Sequence, residues 1–162
     1  MPLRQRLQRA AALGLLAASI PASGAAAPAP SAAQLEAIAD QVKAREIAFA
    51  QTMADRRFDR FADFVAEDAV FRGAALRIGR ATILEKWRPF FDGPKPPFSW
   101  APDAVTVAAD GRTAISSGPV RDEDGKAASR FITIWRLDPD GRWRVIVDGG
   151  VDDACETAPA KK

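Results

Sequence analysis

Asp-Gly occurs three times in the second half of this chain, at Asp110-Gly111, Asp124-Gly125 and Asp140-Gly141, each time between runs of alternating apolar and polar residues. Glycine supplies the positive φ that a tight hairpin needs, so each pair marks a reversal between antiparallel strands. The spacing predicts strands at 98–108, 112–121, 126–137 and 142–148. Turns this short leave no room for the long crossovers that a parallel sheet requires. Upstream the period changes. Leu35, Ile38, Val42, Phe49 and Met53 recur at three- and four-residue spacing or multiples of it, which predicts a helix over 34–54 with Ser31 as N-cap. Glu46 falls on the same apolar stripe. A second helix is expected over 58–66, with Phe61, Phe64 and Val65 inward, then a short strand at 69–71 and a turn region bracketed by Gly73 and Gly79. A third helix over 80–91 carries Ile83, Leu84, Trp87 and Phe90 on one face and stops at Pro94, Pro96 and Pro97. Three helices followed by an antiparallel meander make the expected class α+β.

Residues 1–27 have the three parts of an export signal: Arg4, Arg6 and Arg9, an apolar run from Ala10 to Ile20, and small residues after Pro21. Cleavage is expected after Gly24 or Ala27, with residues 28–33 as an extended linker, 34–152 as one domain and 153–162 as a tail. The apolar run is too short to span a bilayer, which takes about 20 residues. No membrane anchor is therefore expected after cleavage, and the implied location is periplasmic or secreted. The full chain has 23 basic and 21 acidic residues; removing three arginines leaves 20 against 21. The basic excess belongs to the leader, so nothing points to nucleic acid as a partner. The single cysteine, Cys155, rules out an intrachain disulfide, and Asp152, Asp153 and Glu156 beside it disfavour a thiolate. The chain has no His and no Tyr. A Ser-His-Asp triad, a His-zinc site and a phenolic donor are thereby excluded, and no metal or cofactor is expected. Any chemistry falls to carboxylates, Lys, Arg, Ser or Thr.

The order of parts resembles the cone-shaped fold of the nuclear transport factor 2-like superfamily, in which helices pack on a strongly curved antiparallel sheet. Glu46-x-x-Phe49-Ala50, Phe64-x-Ala66-x-Asp68-Ala69-Val70, Gly79-Arg80, Trp100-x-Pro102, Gly118-Pro119, Thr133-x-Trp135-Arg136 and Asp140-Gly141-x-Trp143 carry the likeness, which is to the SnoaL-like or DUF4440 branch. The superfamily includes steroid isomerases, dehydratases, polyketide cyclases, binding modules and oligomerisation domains, so the resemblance leaves the activity open. The resemblance to the ketosteroid isomerases implies a base near Gly73, a phenol near Phe49 and a protonated acid near Thr133. In this chain all three roles are vacant.

Alternation along the strands puts Phe131, Thr133 and Trp135 on one face, and Ile146, Asp148 and Gly150 on one face of the last strand. The resemblance implies that both sets point into a pocket, with Trp87 and Trp100 completing an aromatic lining. The alternative is that these aromatics fill an ordinary core. Glu46 and Asp148 are acids where periodicity predicts burial, and desolvation would suit either to general acid or base work. For Glu46 the competing reading is an ion pair with Arg80 or Arg130. Three functions fit: a module binding a small, mostly apolar molecule, its polar end fixed by Asp148 with Glu46 or Arg80; a cofactor-independent lyase, isomerase or hydrolase using Asp148 or Glu46; or a structural homodimer formed through the outer face of the sheet.

Overall fold

The computed structural model describes residues 28–151. The expected export signal, Cys155 and the tail lie outside the described residues. Helix α1 (Ala32–Ala54) begins at a capping box in which the Gln34 amide donates to Ser31 Oγ and the Ser31 amide donates to Gln34 Oε1. It ends where Arg56 takes a positive φ of 59°. The Arg56 guanidinium then ties this corner to the Phe90 and Gly93 carbonyls. Helix α2 (Phe58–Ala62) is shorter than expected, because the chain enters strand β1 (Val65–Arg72) within three residues of its end. Phe61, Phe64 and Val65 are nonetheless buried. Strand β2 (Leu76–Ile78) turns back on β1 where the sequence suggested only a turn. Helix α3 (Arg80–Trp87) gives way to a 3-10 turn (Arg88–Phe91) at Pro89. That tightening leaves Phe90 39% exposed, edge-on to Trp87 and Phe98 at the cavity, rather than in the core.

The second half forms β3 (Phe98–Trp100), β4 (Ala104–Val107), β5 (Thr113–Asp122), β6 (Ala127–Leu137) and β7 (Trp143–Val151). Gly111, Gly125 and Gly141 all have positive φ at the three Asp-Gly reversals. Two expectations are corrected. Residues 98–108 are two strands, broken between Trp100 and Ala104 at a segment containing Pro102, and both pair with β5. The break folds over Gly118: a Cβ there would lie 2.0 Å from the Ala101 carbonyl oxygen, so no side chain fits. The sheet also has seven strands in the order β2-β1-β7-β6-β5-β3, with β4 alongside β5, and its β1–β7 pair is parallel. Some 70 residues, comprising β2, α3, the 3-10 turn and strands β3 to β6, separate these two strands in the chain, so a connection of the required length exists.

A register shift between Ile134 and Trp135 opposite β7 marks a bulge at Ile146. Trp143 and Val145 are buried before it, while Asp148 stands across from Thr133 after it. Strict alternation from Val145 would have turned Val147 inward and Asp148 out. The bulge therefore aims the acid. α1 and the inner sheet face enclose the core, in which Phe49 stacks on Phe61 and meets Trp100 and Trp135 edge-on.

Candidate functional site

Between the sheet, β2 and the 3-10 turn lies a cavity of about 360 Å³. Phe71, Trp87, Phe98, Trp100 and Phe131 make its walls, Asp148 stands in it, and Arg72 and Arg77 edge it. A larger hollow of about 580 Å³ between α1 and the β6–β7 turn is a surface groove lined by Arg45, Arg60 and Arg142. It is the more open of the two, and its carboxylate, Asp63, stands among arginines rather than against aromatic walls. The walled cavity is the candidate site.

Asp148 is packed into the wall and partly exposed only through the cavity. Thr133 Oγ1 donates to its Oδ2 at 2.8 Å. Burial pushes its carboxyl up to about 7; the Thr133 hydrogen bond works against the shift, and the negative charge of Glu46 adds to it. Glu46 is fully buried behind the cavity. Trp100 Nε1 donates to its Oε1 at 2.7 Å, while Trp135 Nε1 and Ser116 Oγ donate to Oε2 at 2.9 and 2.5 Å. Burial raises its pKa too, against the pull of these donors and of Thr133. Indole N–H groups only donate, so this cage selects an acceptor at Glu46. The Thr133 hydroxyl lies between two carboxyls with one proton to give. The shared hydroxyl and the charge of Glu46 link the two acids.

Of the residues singled out from sequence, Trp87, Trp100, Phe131 and Asp148 line the cavity. Four do not. Glu46, Thr133 and Trp135 are wholly enclosed behind it, forming the hydrogen-bonded layer that backs Asp148. Arg80 lies elsewhere, donating to the Ala62 carbonyl and pairing with Glu67. Neither expected ion pair of Glu46 forms: its partners are indoles and hydroxyls, and Arg130 pairs with Asp103. Two relevant residues escaped the sequence reading. Ser116 sits opposite Thr133, between Ala114 and Gly118 on the inward phase of β5, and this run of small residues is a signal of something large facing it. Arg77 lies opposite Phe71 on β2, a strand too short to leave a periodic trace. Its Nη1 lies 3.1 Å from where a Cβ on Gly73 would stand, so a cation covers the place where the isomerase resemblance put a base. Among the described residues no cluster of three or more acids or thiols could hold a metal ion.

A curved, unclosed sheet wrapped on N-terminal helices around a cavity is the nuclear transport factor 2-like architecture. The SnoaL-like domain model matches residues 47–146, and the chain belongs to that family. It is similar to a nuclear transport factor 2-like protein of unknown function from Pseudomonas putida, at 20% identity over 78% of this chain and 98% of that one, with a TM-score of 0.59. A cystatin-like fold protein from Burkholderia xenovorans is 17% identical over 72% and 93% of the two chains, with a TM-score of 0.58. A nuclear transport factor 2-like superfamily protein from Salmonella enterica is 12% identical over 78% and 98%, at 0.56. At these identities the likeness is one of fold. No curated protein matches the chain.

Proposed function

We propose that this chain is an exported module that holds a small, mostly apolar molecule in the aromatic cavity, with Asp148 meeting a polar group of that molecule. The observation that carries this is the placement of one raised-pKa acid among Phe71, Trp87, Phe98, Trp100 and Phe131. Aromatic walls supply burial, and a neutral carboxylic acid supplies one oriented donor at little desolvation cost. The leader-like residues 1–27 support the exported location. Calorimetric titration with 2-naphthamide, a neutral probe of suitable shape, is expected to give saturable binding that Ser129→Trp abolishes by filling the cavity. Absence of saturable binding to the unaltered protein sinks the proposal.

A second reading, acid–base catalysis, is favoured by the same carboxyl standing near pH 7, where a group can both give and take a proton. Asp148→Asn separates the two: an enzyme loses turnover of whatever copurifies while the complex still forms. Homodimerisation through the outer sheet face is part of the proposal as well, supported by the exposed Ile115, Ile132 and Val147 on adjacent strands. Sedimentation equilibrium should give a dimer that Ile132→Glu converts to monomer. A monomeric unaltered protein removes that part.

A further inference from the structure

Arg72 and Arg77 both edge the cavity, and of the two it is Arg77 that carries a buried nitrogen without a partner. Its Nη1 donates to the Ala75 carbonyl at 3.2 Å, and it forms no ion pair among the described residues. Its Nε is buried with no hydrogen-bond partner at all. A buried donor left unmade costs roughly 1–3 kcal/mol, so it is kept only where something supplies the partner. The Nε–Nη2 edge of a guanidinium presents two parallel N–H groups, and this is the edge that the fold leaves unpaired. It matches the two oxygens of a carboxylate. β2 is a three-residue edge strand, so Arg77 stands at the margin of the sheet beside the cavity. Asp148 forms no ion pair with Arg77; Thr133 engages its Oδ2 and leaves Oδ1 toward the cavity.

We infer that the cavity is built for a small aromatic or alicyclic carboxylic acid, whose ring lies against Trp87, Phe98 and Phe131 and whose carboxylate is taken by the Nε–Nη2 edge of Arg77. This rests on the cavity being a binding site and adds the charge and class of the ligand. At the far side Asp148 meets a second polar atom of the ligand.

The test compares 2-naphthoate with 2-naphthamide, equal in shape and different in charge, by calorimetry at pH 6 on the unaltered protein and on Arg77→Gln, Arg77→Lys and Arg72→Gln. The unaltered protein should prefer naphthoate by about tenfold or more, the range of a charge-assisted hydrogen-bond pair. Arg77→Gln should erase the preference and keep naphthamide binding, Arg77→Lys should keep part of it, and Arg72→Gln should keep nearly all. Naphthamide binding to each variant reports that the cavity is intact. Equal affinity of the two probes for the unaltered protein overturns the inference and leaves the binding site standing. A preference that survives Arg77→Gln, or vanishes only with Arg72→Gln, overturns the role of Arg77. Failure of both probes to bind overturns the inference together with the reading it rests on.

Discussion

Replacing Glu46 by alanine should lower the stability of the domain by about 5 kcal/mol, as much as many small domains possess in total. Two costs combine. Truncating a side chain with no exposed surface leaves a void that the packed Phe49, Trp100 and Trp135 cannot collapse into. The change also strands the indole N–H groups of Trp100 and Trp135, which donate to Glu46 on its two oxygens. Of these, Trp135 is wholly buried and keeps only the Ser116 oxygen, at 3.0 Å. Glu46→Gln should cost less, roughly 2–3 kcal/mol, since one oxygen remains to accept and an amide N–H must face a donor. Urea unfolding followed by tryptophan fluorescence measures both, and the chain's lack of tyrosine keeps the signal clean. A Glu46→Ala protein within 1 kcal/mol of the parent would mean that the cage does not hold the layer together. A large loss confined to stability would also place Glu46 as a positioning residue behind Asp148 rather than as a group that meets a ligand.

The Glu46 case marks how far the sequence could be read. Helical periodicity gave its burial correctly, because burial follows from the face of α1 that it occupies. Its partners did not follow, because they come from β3, β5 and β6, up to 89 residues away. An ion pair was the reasonable expectation for a buried acid, and donor-only indoles do the same task without placing a second charge in the core. The three Asp-Gly turns were legible because hairpin chemistry is local. The parallel β1–β7 pair was not, since nothing in either strand names its partner. Asp148 is the instructive middle case. It was placed beside Ile146 and Gly150 on an inward face, and it does face inward. The reason lies in a bulge at Ile146 that no residue type announces, so alternation counted from Trp143 and Val145 would have pointed it outward. Arg77 stayed invisible for the opposite reason: β2 is too short for any period to register.

Between pH 5 and pH 8 the unaltered protein should lose roughly 2 kcal/mol of stability that an Asp148→Asn variant does not lose. The sign follows from the direction of the shift. In the folded state the Asp148 carboxyl titrates at about 7, above the ordinary 3.8 that it has when unfolded. Between those values the folded protein binds the proton and the unfolded chain does not. The stabilisation is therefore complete below pH 3.8, falls as pH rises, and is gone above 7. A fully dry site would give nearer 3 kcal/mol over this window; the cavity's access to solvent reduces it. The carboxyls that arginines hold low, on Asp68, Asp103, Asp138 and Asp140, shift in the opposite direction and titrate below the window. Glu46 is raised as well and is linked to Asp148, so the difference between the two profiles belongs to both acids. Asparagine keeps the Thr133 hydrogen bond through its carbonyl oxygen, so the variant is expected to fold and to be the more stable protein at pH 8. Parallel stability profiles for the two proteins would mean that Asp148 is an ordinary ionised aspartate in a wet cleft, and the neutral donor on which the binding proposal relies would be absent. Diverging profiles would instead identify the cavity as one that keeps an acid protonated near neutral pH, which is the neutral donor that the binding proposal requires.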